Sequence, residues 1–87
     1  MNRKEFEIKW GRKLDELDIV IGRNTNIPYS TGCYIEDGLW KIYSIGERQN
    51  FSIIAQGTEE EMFKKLDRII KGKNKALLRK KKINIEL

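Results

Sequence analysis

Phe6, Trp10, Leu14 and Leu17 recur at helical spacing among charged neighbours, which predicts a helix over residues 3–17 with one apolar stripe. Asn2 followed three residues later by Glu5 is the capping-box pattern that satisfies orphan amides at a helix start. Gly11 costs this helix roughly 1 kcal/mol relative to alanine. Asp18 to Gly22 is short and β-branched, and reads as a strand or as an extended connection ending in a turn. Arg23 to Thr31 collects Asn24, Asn26, Pro28 and Ser30, the chemistry of a loop, and at about nine residues it is longer than a typical connection.

The middle of the chain changes to a period of two. Gly32 to Glu36 and Leu39 to Ile45 flank Asp37-Gly38, a two-residue hairpin signal because a type I′ turn needs positive φ at both positions. Alternation puts Trp40, Ile42 and Ser44 on one sheet face and Leu39, Lys41, Tyr43 and Ile45 on the other, with Trp40 the aromatic expected in the core. A polar turn over Gly46 to Asn50 leads to a further strand, Phe51 to Ala55. Thr58-Glu59-Glu60-Glu61 is a second capping box with its carboxylates in the first turn. Met62, Phe63, Leu66, Ile69 and Ile70 continue as a helical stripe. Gly72 is read as a stop, with Asn74 capping a short third helix over 76–78; one unbroken helix is the alternative, since positions 66, 70, 73 and 77 remain in phase. Ile83 to Leu87 alternates and could form an edge strand, in this molecule or on a partner.

This order gives an α+β fold: an N-terminal helix, a three- or four-stranded antiparallel sheet, and a C-terminal helix or helix pair packed on one sheet face. The 87 residues suit a single domain, read as a body over 1–72 and a basic C-terminal segment over 73–87.

One cysteine, Cys33, and the absence of histidine remove an internal disulfide, the usual zinc ligands and the commonest general base. Cys33 falls in a strand, where a buried structural thiol is expected. Glu59, Glu60 and Glu61 are adjacent, so they splay around a helix start instead of converging on a substrate. No catalytic residue, metal or cofactor is therefore expected, and the chain reads as no enzyme. With no apolar run near the roughly 18 residues of a membrane span and no signal-peptide core, a cytoplasmic protein with no membrane association is expected.

The net charge of +5 is unevenly distributed. From Lys64 onward there are ten basic residues against Asp67 and Glu86, a net +8, and residues 1–63 carry −3. The cluster Arg79, Lys80, Lys81 and Lys82 is the candidate polyanion contact. Sheet aromatics beside a basic tail suggest nucleic-acid binding. Against it, the Lys/Arg-Gly-aromatic-Gly-aromatic signature of sheet-based RNA binders is absent, and residues 18–57 hold four acidic against three basic side chains.

Cys33-Tyr34, Glu36-Asp37-Gly38, Trp40-Lys41, Tyr43, Glu47-Arg48, Thr58-Glu59-Glu60-Glu61 and Phe63 together resemble a pattern of small immunity proteins from bacterial polymorphic toxin and contact-dependent inhibition systems. The match covers residues 32–66, about half the chain. Gln49 departs from the glycine common after Glu-Arg, Gly57 departs from an acidic residue common before the threonine, and the basic tail is no part of the pattern. The resemblance implies an antitoxin-like protein that binds one cognate toxin protein in the producing cell and blocks its active site or substrate access by stoichiometric inhibition, as a monomer or weak homodimer. Its anchors would be a few aromatic and charged residues: Tyr34, Tyr43, Glu47 and Arg48, with Tyr29 from the long loop. The alternative is a small basic nucleic-acid-binding protein acting through its tail.

Overall fold

The computed structural model describes the backbone over residues 1–86 and side chains as far as Arg79. The elements are α1 (Arg3–Trp10), β1 (Ile19–Ile21), β2 (Thr31–Glu36), β3 (Leu39–Ile45), β4 (Phe51–Gly57) and α2 (Glu59–Glu86). The strands form one sheet in the order β1-β2-β3-β4, and both helices lie on one face, which is the expected α+β arrangement.

Both helix starts follow the capping logic of the sequence. The Asn2 side chain accepts from the Glu5 amide at 2.8 Å, and Thr58 Oγ1 accepts from the Glu61 amide at 3.2 Å while donating to the Glu61 carboxylate at 3.0 Å. The first helix is shorter than its periodicity predicts: it ends at Trp10, and residues 11–18 continue as turns. Gly11, a poor helix former, sits at the C-cap, and Asp18 adopts φ 56° to redirect the chain into β1. The stripe survives this change, because Leu17 is buried and Leu14 packs against the core from the turns.

The second helix departs from the reading in the other direction. It runs unbroken through Gly72. Leu66 and Ile70 are fully buried, and Leu77 packs on the same core, so the buried stripe crosses Gly72 without interruption. Lys73 lies half-buried within that stripe, its aliphatic stem covering apolar surface as long cationic side chains do. Gly72 itself is exposed with open space around its Cα. The absence of a stop also carries residues 83–86 as helix, in place of the edge strand read from Ile83 to Leu87; Leu87 lies outside the described residues.

In the core between helices and sheet, Phe63 is the centre, 5.2 Å from the Phe6 ring and 5.0 Å from the Trp40 ring. Cys33, Ile42, Met62, Leu66 and Ile70 complete it. The helices are tied to each other by a polar clamp. Asp67, only 7% exposed, accepts from Trp10 Nε1 at 2.6 Å and pairs with Lys9 at 2.9 Å and Lys71 at 3.2 Å. Burial opposes its charge, but these three donors outweigh burial and hold its carboxyl below the ordinary value.

The sheet is mixed. The β2–β3 and β3–β4 pairs are antiparallel as expected, whereas β1 pairs with β2 in parallel. Parallel neighbours need a chain return, and residues 22–30 provide it by crossing the sheet face opposite the helices. Asp37 and Gly38 take φ 53° and 78°, the positive pair of a type I′ hairpin turn. A bulge between Ile42 and Tyr43 shifts the β4 register, opposing Tyr43 to Ile53 and leaving Ile54 as the extra residue.

Candidate functional site

The sheet face away from the helices divides into a sealed half and an open half. In the sealed half, Tyr34, Tyr43 and Ile45 are buried with Phe51 packed against them, and the 22–30 loop closes over this small second core. Tyr43 joins the two: its hydroxyl donates to the Gly22 carbonyl at 2.7 Å and accepts from the Asn24 amide at 3.0 Å. Burial pushes its phenol up from the ordinary value. The Arg23 guanidinium rests over the rings of Phe51 and Tyr34, at 5.0 and 5.6 Å from their centroids, a cation–π cover on the outside of the cluster.

In the open half, β2 and β3 supply Glu36, Leu39 and Lys41, and β4 supplies Ile53 and Gln56. Glu36 is the polar centre, 3.0 Å from Lys41 Nζ and 3.9 Å from Arg23 Nη1. That hydrogen bond to Glu36 raises the Lys41 ammonium above its ordinary value, so the cation stays charged. Leu39 and Ile53 remain 42% exposed beside these charges. The surface therefore combines two apolar side chains, a fixed ionic chain and an arginine already oriented by stacking.

The five partner-contact residues expected from the sequence are separated by the fold. Tyr43 is 0% exposed and Tyr34 9%, so both are corrected from contact anchors to core; alternation separated Tyr43 from the Trp40 face, as observed, but the crossing loop covers the face on which Tyr43 lies. Tyr29, Glu47 and Arg48 are exposed. They gather at one end of the sheet, since the Ile45 amide bonds the Ser30 carbonyl at 2.9 Å and Gln49 Nε2 reaches the Asn26 carbonyl at 3.4 Å. Tyr29 is 63% exposed and is presented from a left-handed backbone, φ 61°. Glu47 and Arg48 form no ion pair with each other, so their side chains are not spent on holding the turn.

Arg23, Leu39 and Ile53 are surface residues that the sequence reading did not single out. Leu39 and Ile53 carried a usable signal, since strand alternation puts Leu39 beside Lys41 and Tyr43. Arg23 carried none, because its stacking follows from the path of the crossing loop. Of the polyanion candidates, Arg79 is exposed on α2, and the side chains of Lys80, Lys81 and Lys82 lie outside those described.

Among the described residues no cluster of His, Cys, Asp and Glu could hold a metal ion, and no helix is long and apolar enough to cross a membrane. The Cys33 thiol is pushed up to about 12 by burial, opposed in part by Arg3, and stays protonated. No protein-family model, curated protein or solved structure matches the chain.

Proposed function

We propose that this protein is a cytoplasmic, non-catalytic binder that neutralises one cognate toxin domain by stoichiometric occupation, as its resemblance to small immunity proteins implies. The observation that carries the reading is the sheet face left uncovered by both helices, where Leu39 and Ile53 stand exposed among charged side chains, with Tyr29 exposed on the loop at one end of the sheet. Interfaces of this type combine a few aromatic or aliphatic anchors with a rim of charge that guides association. The motif that supports the resemblance contributes mainly to the scaffold: Asp37 and Gly38 make the turn, and Trp40 and Tyr43 fill the two cores. Of its exposed members, Glu36, Glu47 and Arg48 are those proposed for contact, while Thr58 and Glu61 cap α2.

The test is growth of cells expressing the cognate toxin domain, with and without this chain, together with a titration of the purified pair. Protection with a sharp one-to-one endpoint that persists at about 0.5 M salt, where phosphate-driven contacts weaken steeply, is the expected result. Tyr29→Ala with Leu39→Asp should weaken the complex at least tenfold while leaving the fold intact. Protection retained by that double variant at full affinity would move the interface off the sheet face. A catalytic rather than stoichiometric endpoint would end the reading.

A further inference from the structure

We propose that the solvent face of α2 is a sequence-independent binding surface for the phosphate backbone of duplex DNA, a role separate from toxin binding. Lys64, Arg68, Lys71, Lys75 and Arg79 follow one another at intervals of four, three, four and four residues, and all are exposed. At 100° per residue this puts them in a single row, opposite the stripe that buries Met62, Leu66 and Ile70. The row spans fifteen residue steps, about 22 Å at the helical rise. The sequence had directed attention to residues 79–82, whereas the described surface begins fifteen residues earlier.

The row does not have the composition of an ordinary solvated helix. Such helices place opposite charges at i,i+4, where they attract, and like charges at those spacings repel. Here each cation is followed at i+3 or i+4 by another cation. Asp67 is the one acidic residue between Lys64 and Arg79, and it is turned inward to Trp10 and shared between Lys9 and Lys71. Among the described residues, Lys71 is the one cation of the row that is ion-paired. From the turn after α1, Lys13 brings one further cation to α2, reaching Asn74 at 3.3 Å. A polyanion would convert the mutual repulsion of this row into attraction.

The rest of the helix selects among polyanions. Single strands are held by stacking on aromatic side chains, and the one aromatic of α2, Phe63, is fully buried. A membrane-surface helix turns its apolar face to lipid, but over the described residues of α2 that face is committed to the core, and Leu78 is the one large apolar side chain among them left exposed. A helix of about 10–12 Å diameter fits the roughly 12 Å major groove of B-form DNA. Among the described side chains of α2 the one amide, Asn74, accepts from Lys13 at 3.3 Å, and a row of cations is suited to phosphate contacts, which position a protein on the duplex without reading its sequence.

Fluorescence anisotropy of the full chain with a labelled random-sequence duplex of about 25 base pairs, between 50 and 200 mM salt, tests the proposal. Five phosphate contacts give a log–log slope near −4.5, a weakening of about 500-fold across that range. Replacing Lys64, Arg68 and Lys75 by glutamine should make the slope shallower by about 3 and cut affinity at 50 mM salt more than tenfold, more than the K80Q/K81Q/K82Q variant does. Circular dichroism checks the fold, and Lys75→Gln alone, lowering the slope by about 1, serves if the triple variant unfolds. No binding at 50 mM salt, a greater loss from the 80–82 variant, tighter binding to a single-stranded oligonucleotide, or tighter binding to phosphatidylserine vesicles would each overturn the proposal.

Discussion

The ring of Tyr43 lies directly across Gly32 on the neighbouring strand, so close that a Cβ at position 32 would fall within the ring carbons and hydroxyl of Tyr43. Gly32 is therefore required for a close approach and not for an unusual backbone angle. It lets the Tyr43 hydroxyl cross β2 and reach Gly22 and Asn24, which fastens the return loop and seals the second core. Gly32→Ala should cost about 1–3 kcal/mol, the range of an overpacked core, measured as a lowered urea midpoint. Tyr43→Phe keeps the ring and removes the hydroxyl, so it should cost about 1–2 kcal/mol and speed amide exchange at residues 22–30 more than in β3 and β4. Equal acceleration everywhere would mean that the loop is not fastened separately.

Asp67 makes the helix pair dependent on pH. Its folded carboxyl lies below the ordinary value, so its stabilisation is present above the unfolded value, about 3.9, and is lost as pH falls through the folded one. Asp67→Asn should cost about 1–3 kcal/mol at pH 7, the range for hydrogen bonds to charged groups. The gap between the variant and the parent should close below about pH 4. Urea denaturation followed by tryptophan fluorescence between pH 7 and 2.5 reads this, with Trp10 bonded to the carboxylate itself. A gap that stays constant to pH 2.5 would show that the charge does not contribute.

Gln49 occupies a left-handed position, φ 59°, in the β3–β4 turn, where the immunity-protein pattern commonly has glycine. A non-glycine residue pays about 1–2 kcal/mol for that conformation, offset in part by the greater freedom of glycine when unfolded. Gln49→Gly is expected to gain about 0.5–1 kcal/mol in chemical denaturation, despite losing the 3.4 Å contact to Asn26. A loss of more than 1 kcal/mol would show that this contact outweighs the backbone.

Gly72→Ala tests the unbroken helix. With open space around its Cα and helical neighbours on both sides, alanine should add about 0.8–1 kcal/mol and raise the melting temperature. A helix that stopped at Gly72 would gain nothing from the change.

Sequence reasoning reached the β2–β3 hairpin and both helix starts because their signals are local. Asp37-Gly38 has one favourable turn geometry, and Thr58 with Glu61 closes a helix start within four residues. Two kinds of information were out of reach. Helix length was one: Gly11 sits at the end of α1 and Gly72 inside α2, although apolar core contacts continue past both glycines. The parallel placement of β1, and with it the burial of Tyr34 and Tyr43, depended on where residues 22–30 travel, which no short-range pattern encodes. The candidate surface was accordingly legible at Tyr29, Glu47 and Arg48, whose exposure follows from loop chemistry, and not at Arg23, whose position is fixed by stacking on rings distant in sequence.

Cys33 sits at 0% exposure between the helices and the sheet, with its thiol protonated, and the chain has no second cysteine. Native chain thus carries a stopwatch for its own breathing. A thiol reagent can reach Cys33 only while the core packed around it opens, so the labelling rate in unmodified protein counts those openings. Slower labelling after a ligand is added would time how firmly it holds this core closed, with no probe introduced.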